Sequence, residues 1–119
     1  MHKKFHVDYD TENDSLFLYR EKSHGGVEVG NLLLDFNNRK ELVSLEILDA
    51  TKFLQSMNTS TLRVTKKLLA SITECRLDTK EESGLLLIKV FLFFQDETRL
   101  VTPITVWSIK ESSPLVVEM

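Results

Sequence analysis

Residues 27–55 carry the hydrophobic pattern around which the rest of the chain can be arranged. Leu32, Leu33 and Leu34 read as an apolar strand, Asn37, Asn38, Arg39 and Lys40 as a polar turn, and residues 42–48 as a second strand. A helix starts at once at Asp49, a good N-cap, with Phe53 and Leu54 on its buried side. Upstream, Phe5, Val7 and Tyr9 alternate with Lys4, His6 and Asp8, the period of two of a half-buried strand. The turn formers of residues 10–14 follow, then a second strand over residues 15–20, and His24-Gly25-Gly26 turns the chain again. Short turns between four strands predict an antiparallel meander, because a parallel crossover needs a longer connection.

Downstream, Leu62, Leu68, Leu69 and Ile72 fit a helical stripe over residues 59–70 that Thr59, Ser60 or Thr61 could cap. The β-branched Thr61, Val64 and Thr65 count against it. After Ser71 the period returns to two, with Thr73, Cys75, Leu77 and Thr79 on one face and Glu74, Arg76 and Asp78 on the other. Residues 80–84 turn the chain. Residues 85–94 then form a strand that is apolar on both faces, with Lys89 its only charge. After a turn at residues 95–98, residues 99–109 form the last long strand. Pro103 cannot donate a ladder hydrogen bond, so this strand is expected at an edge or bulged. The tail, residues 111–119, carries Pro114 and the short apolar end Leu115-Val116-Val117, to which no element is assigned. The expected fold class is α+β: a largely antiparallel sheet of about seven strands (a four-strand meander, two short helices, three strands) with the helices on one face. Residues 1–119 are expected to form a single domain, with a meander and helix over 5–55 and a helix and three-strand extension over 59–110.

Composition narrows the function classes. The 119 residues suffice for one domain with a real core. Fifteen basic and 18 acidic residues give a net charge of −3, and the densest basic groups, Lys3-Lys4 and Arg63, Lys66, Lys67, are too small to neutralise a nucleic-acid backbone. Cys75 is the only cysteine, so no intrachain disulfide forms. With no apolar leader segment near the start, a reducing, cytoplasmic setting is expected. The run 85–94 is about half the length a membrane-spanning helix needs, so no membrane partner is expected.

Candidate chemistry is thin. Asp8, Asp10, Glu12 and Asp14 invite a calcium loop, but Asn13 and Tyr19 stand where that loop needs glycine and a bidentate glutamate; a solvated turn with side-chain-to-backbone bonds is the reading preferred. Glu46 and Asp49 could form a carboxylate pair only in a shared cleft. Glu46 lies on the strand face opposite Leu45 and Ile47, and capping accounts for Asp49. His2, His6 and His24 fall short of a zinc site, which wants three or four ligands, and Cys75 reads as a buried apolar residue. No phosphate loop, dinucleotide fingerprint or His-Glu-x-x-His occurs. No catalytic, cofactor-binding or metal-ligating residue is therefore assigned, and no cofactor is expected.

Three pieces of the first half resemble a family. The run Val7-Asp8-Tyr9-Asp10-Thr11-Glu12-Asn13-Asp14-Ser15-Leu16, the Asp-containing strand at residues 32–36, and Val43-Ser44-Leu45-Glu46-Ile47-Leu48-Asp49-Ala50-Thr51 are similar to segments of domain of unknown function (DUF) family 2283. The last resembles its Gly-Ile-Glu-Ile-Leu-Asp-Ala-Ser type motif, with Ser44 where the family usually carries glycine or another small residue. The middle strand is richer in leucine than the family pattern. The resemblance covers residues 5–55 and implies no activity; it implies an interaction role. The two-faced apolar strand at 85–94 needs cover on both sides, and a second copy of the chain could supply one, with Trp107 as an anchor. The expected function is non-enzymatic protein–protein contact, as a homodimer or with another protein. The alternative is a small-molecule- or metal-dependent enzyme with its site between sheet and helices, using Glu46, Asp49 or the histidines.

Overall fold

In the computed structural model, which describes residues 3–21 and 26–107, eight strands and two short helices follow one another. They are Lys3–Asp10 (β1), Ser15–Tyr19 (β2), Gly26–Val29 (β3), Leu32–Phe36 (β4), Leu42–Ile47 (β5), Ala50–Met57 (α1), Lys66–Leu69 (α2), Ile72–Glu82 (β6), Leu85–Phe94 (β7) and Arg99–Trp107 (β8). All strands join one antiparallel sheet in the order β3-β4-β5-β2-β1-β6-β7-β8, curled into a half-barrel. The expected α+β class with a largely antiparallel sheet holds at that level, but the sheet has eight strands and little helix. His2, the His24-Gly25 part of the second turn, Ile109 and the tail at 111–119 lie outside the described residues.

The period of two becomes an inner and an outer face. On the inner face, the registers align Leu18, Leu45 and Leu34 in one row and Leu16, Ile47 and Leu32 in the next; all six are at most 4% exposed. In the second half the same alignment gives Phe5, Cys75, Leu92 and Leu100 in a row, then Leu77, Val90 and Thr102. A one-residue slip anywhere would turn an entire strand's apolar set outward, so burial fixes the register.

Two parts of the predicted topology are corrected. The first four strands are not a simple meander: β2 pairs with β1 and β5, and β3 lies at the far edge. The reason is that Leu16 and Leu18 match the inward residues of β5, whereas β3 offers only half-buried valines. The strand missed by pattern reading is β3, which joins β4 through Gly30-Asn31. Gly30 has φ +58°, so this two-residue turn places glycine where a II′ hairpin needs positive φ. The turn at 80–84 likewise shrinks to Ser83-Gly84, with β6 paired up to Glu82. Of the two alternatives for the Pro103 strand, edge or bulge, the edge holds among the described residues, where β8 is the last strand of the sheet.

The helix expected over 59–70 is reduced to the four residues of α2. Thr65, not Thr59, Ser60 or Thr61, caps it by accepting the Leu68 N–H at 3.1 Å. The preceding loop is held open by side-chain amides: the Val64 N–H donates to Gln55 Oε1 at 2.8 Å, and Asn58 Nδ2 donates to the Leu62 carbonyl at 2.6 Å. These bonds satisfy backbone groups that a helix would otherwise claim. Leu54, Val64 and Leu69 from this region fill the hollow of the sheet. Leu45, central in its row and fully buried, should be the sensitive position: Leu45→Ala is expected to cost about 2–5 kcal/mol in urea unfolding, whereas Val101→Ala at 46% exposure should change the midpoint little.

Candidate functional site

The polar residues of the family-like segment converge on one carboxylate. Asp14 ends the β1–β2 turn with φ +53°, and its side chain reaches the start of α1. Thr51 Oγ1 donates to it at 2.6 Å, the Thr51 N–H at 3.2 Å, and Tyr9 OH at 2.7 Å. Its own carbonyl accepts the Ala50 N–H at 2.9 Å. Asp14 therefore caps the helix from another element. Asp49, which the sequence marks as the cap, holds the N-cap position with φ +51° and makes no side-chain capping bond; this corrects the expected role. Asp10 supplies the turn chemistry, accepting from the Glu12 and Asn13 N–H groups and from Asn13 Nδ2 at 2.8 Å.

Electrostatics follow from these contacts. Burial pushes the Asp14 carboxyl up, but the bonds from Thr51 and Tyr9, with Lys66 nearby, outweigh it and hold the group below its usual range. Burial, and then the bond to Asp14, pushes the Tyr9 hydroxyl well above its usual value. The pair is thus locked as carboxylate and neutral phenol.

A second group of family-like residues lies on the outer face. Phe17, Leu33, Asp35, Ser44 and Glu46 line a recess of about 260 Å³. Asp35 and Ser44 face each other across β4 and β5 and are 3% and 4% exposed. Glu46 accepts from Ser15 Oγ at 2.6 Å. Gly26 closes the recess: a Cβ there would stand 2.6 Å from the Leu34 carbonyl oxygen. The burial of Asp35 was not legible beforehand, because an aspartate in a leucine-rich strand reads equally well as a surface position.

The other candidates are dispersed. Glu46 is bonded to Ser15 on the outer face while Asp49 is exposed beyond the end of β5, so they form no pair. His6 is exposed beside Tyr19, ring centroids 5.3 Å apart. Cys75 is fully buried, and burial followed by the charge of Glu74 pushes its thiol up to about 12, which keeps it protonated and unreactive. Among the described residues no three His, Cys, Asp or Glu side chains are grouped to hold a metal ion, and no helix is long and apolar enough to cross a membrane.

The face expected to need cover is half-covered. Along β7, Leu86, Ile88, Val90, Leu92 and Phe94 are buried, while Leu85, Leu87, Phe91 and Phe93 on the outer face are half-buried. Val101 and Trp107 of β8 continue that outer face at 46% and 66% exposure.

A curled antiparallel half-barrel whose first hairpin is tied to a helix through a carboxylate is the class of domain that the fold defines. The family model "Protein of unknown function (DUF2283)" matches residues 6–50, the segment containing β1 to β5 and the start of α1. An uncharacterized protein of Methanocaldococcus jannaschii is 41% identical over 51 residues, 41% of this chain and 44% of that protein. A Methanosarcina mazei protein, provisionally named a hypoxanthine phosphoribosyltransferase, is 37% identical over 46 residues, 37% of each chain. The matches thus span less than half of either relative. No solved structure matches the chain significantly.

The Asp14 network sets a pH dependence. Lowered in the fold, Asp14 contributes stability that is present above its unfolded value of about 4 and lost as pH falls through the lower folded value. Raised in the fold, Tyr9 contributes stability that is present below about pH 10 and lost as pH rises toward its folded value. Asp14→Ala is expected to cost about 1–3 kcal/mol at neutral pH. Tyr9→Phe should cost about 1 kcal/mol and remove part of the alkaline loss. Urea midpoints at acid, neutral and alkaline pH test both; an unchanged neutral midpoint for Asp14→Ala would place the cap elsewhere.

Proposed function

We propose that this chain works by protein–protein contact rather than catalysis, and that its partner is a second copy, outer face against outer face. The observation carrying this reading is the row of half-buried Leu85, Leu87, Phe91 and Phe93 on β7, continued by exposed Val101 and Trp107 on β8. Contiguous apolar patches of this kind are costly to leave in water and commonly mark association sites.

Charge and edge chemistry support a two-fold arrangement of faces. A two-fold axis along the strands lays β6 of one copy over β8 of the other. Glu74, already ion-paired with Arg76 of its own chain, and Arg99 occupy the same cross-strand row, on either side of Phe93, so Arg99 of one copy would meet the Glu74–Arg76 pair of the other. The same axis stacks Lys89 over its own copy, a like-charge contact at the centre that the cross-strand neighbour Asp78 offsets only in part, which keeps the association weak. Pairing through the outer edge of β8 is disfavoured because Pro103, in mid-strand, has no N–H to donate. The three strands offer roughly 33 by 14 Å of flat face, less than the roughly 800 Å² per partner of a standard interface. The expected association is accordingly weak and reversible.

The phosphoribosyltransferase name of the Methanosarcina mazei relative is not carried over. The shared stretch is 37% of that protein, and the polar groups of the family segment bond one another here. Sedimentation velocity over a micromolar to millimolar series is the test. The parent should shift from monomer to dimer with concentration, and Val101→Lys with Trp107→Lys should remain monomeric at an unchanged melting temperature. A parent that is monomeric throughout, or a double variant that associates equally well, would overturn the reading.

A further inference from the structure

We infer that the end of the half-barrel that is open among the described residues binds a small amphipathic anion, a carboxylate carried on an apolar body. The helices follow the Ile47 end of β5 and cap that end of the hollow. At the opposite end, Phe5, Phe36, Leu42, Leu77 and Leu86 form the apolar floor of a cleft of about 350 Å³. That volume lies at the small end of the range for ligand sites.

The rim of this cleft is cationic in a chain of net charge −3. Lys3, Arg20, Arg39 and Lys40 line it, against the carboxylate of Glu41. Arg20 is the fixed member. Its side chain is 19% exposed, its guanidinium lies 6.0 Å from the Phe5 ring centroid, and its Nε is buried without a hydrogen-bond partner among the described residues. Nη1 donates to Glu21 at 2.8 Å, while Nη2 reaches Glu41 only at 3.4 Å.

Glu41 shows what the rim accepts. Its carboxylate takes Asn37 Nδ2 at 3.0 Å and Arg39 Nη2 at 3.2 Å, with Lys3 Nζ at 3.8 Å. The bonds from Asn37 and Arg39, with Lys3 nearby, hold its pKa down to about 2. Glu41 and Glu21 thus serve the three cations Lys3, Arg20 and Arg39, mostly at long distances, and Lys40 adds a fourth positive charge at the rim. The positive field left over lies above an apolar floor, which suits a ligand with one carboxylate end and one hydrocarbon end. The cleft is on the inner side of the sheet, separate from the outer face proposed for self-association.

Octanoate is the probe, with octanol and inorganic phosphate as controls. In NMR titration of the full chain, octanoate is expected to give saturable shifts at the Leu42, Leu77 and Leu86 methyls. Octanol and phosphate should each bind at least about tenfold more weakly. Lys3→Glu with Arg39→Glu, at side chains 51% and 75% exposed, should weaken octanoate binding by about tenfold or more without altering the dispersion of the free protein's spectrum. Absence of saturable shifts, equal binding of octanol or phosphate, or undiminished binding by the folded double variant would each overturn the inference.

Discussion

One strand, β1, holds the sheet together. Its first residues pair with β6, Lys3 to Leu77 and Phe5 to Cys75, and its later residues pair with β2, from His6 to Asp10. The two ladders overlap little along β1, so the halves of the sheet are offset and the sheet curls about this strand. Phe5, Val7 and Tyr9 face the hollow throughout. Alternation along eight residues thus performs two tasks: it closes the inner face and joins two sets of hairpins that share little else.

Curling creates a hollow that strands alone do not fill, and the chain fills it with a short helix. An eight-residue helix is marginal on its own, because nucleation is costly and most of its stability must come from packing. Here Ala50 and Leu54 are fully buried against the sheet, and the exposed N–H groups of the first turn are met by Asp14 from the β1–β2 turn. Asn31 adds a second clamp, exchanging bonds with the backbone of Leu48. The segment matched by the family model is therefore a mechanical unit. Its Tyr9, Asp14, Ala50 and Thr51 close one joint.

The same geometry separates two surfaces. Among the described residues the hollow is plugged at the helical end and open at the other, where apolar floor and cationic rim meet. The outer face is polar over most of the first half and apolar along β7, where alternation gives way to a continuous hydrophobic run. A strand buried on one face needs only alternate apolar residues; Leu85, Leu87, Phe91 and Phe93 exceed that requirement.

The sequence by itself determined the strands with clean alternation, β1, β2, β6 and β8, because a period of two reports a half-buried strand whatever its neighbours are. It also determined the continuous apolar run of β7, the choice between edge and bulge that Pro103 imposes, and the turn chemistry of Asp10. Only the tertiary structure decided which strands are adjacent. The side chains of β2 fit β5 through contacts separated by some thirty residues, and no local pattern encodes that choice. Asp14 replaced Asp49 as the cap for the same reason: capping needs an oxygen at the right place in space, not at the right place in the chain. The loop before α2 stayed non-helical because Gln55 and Asn58 reach its backbone first, and the burial of Asp35 arose from strands meeting across the sheet. Periodicity is a local property and was legible; hydrogen-bond partners brought together by folding were not.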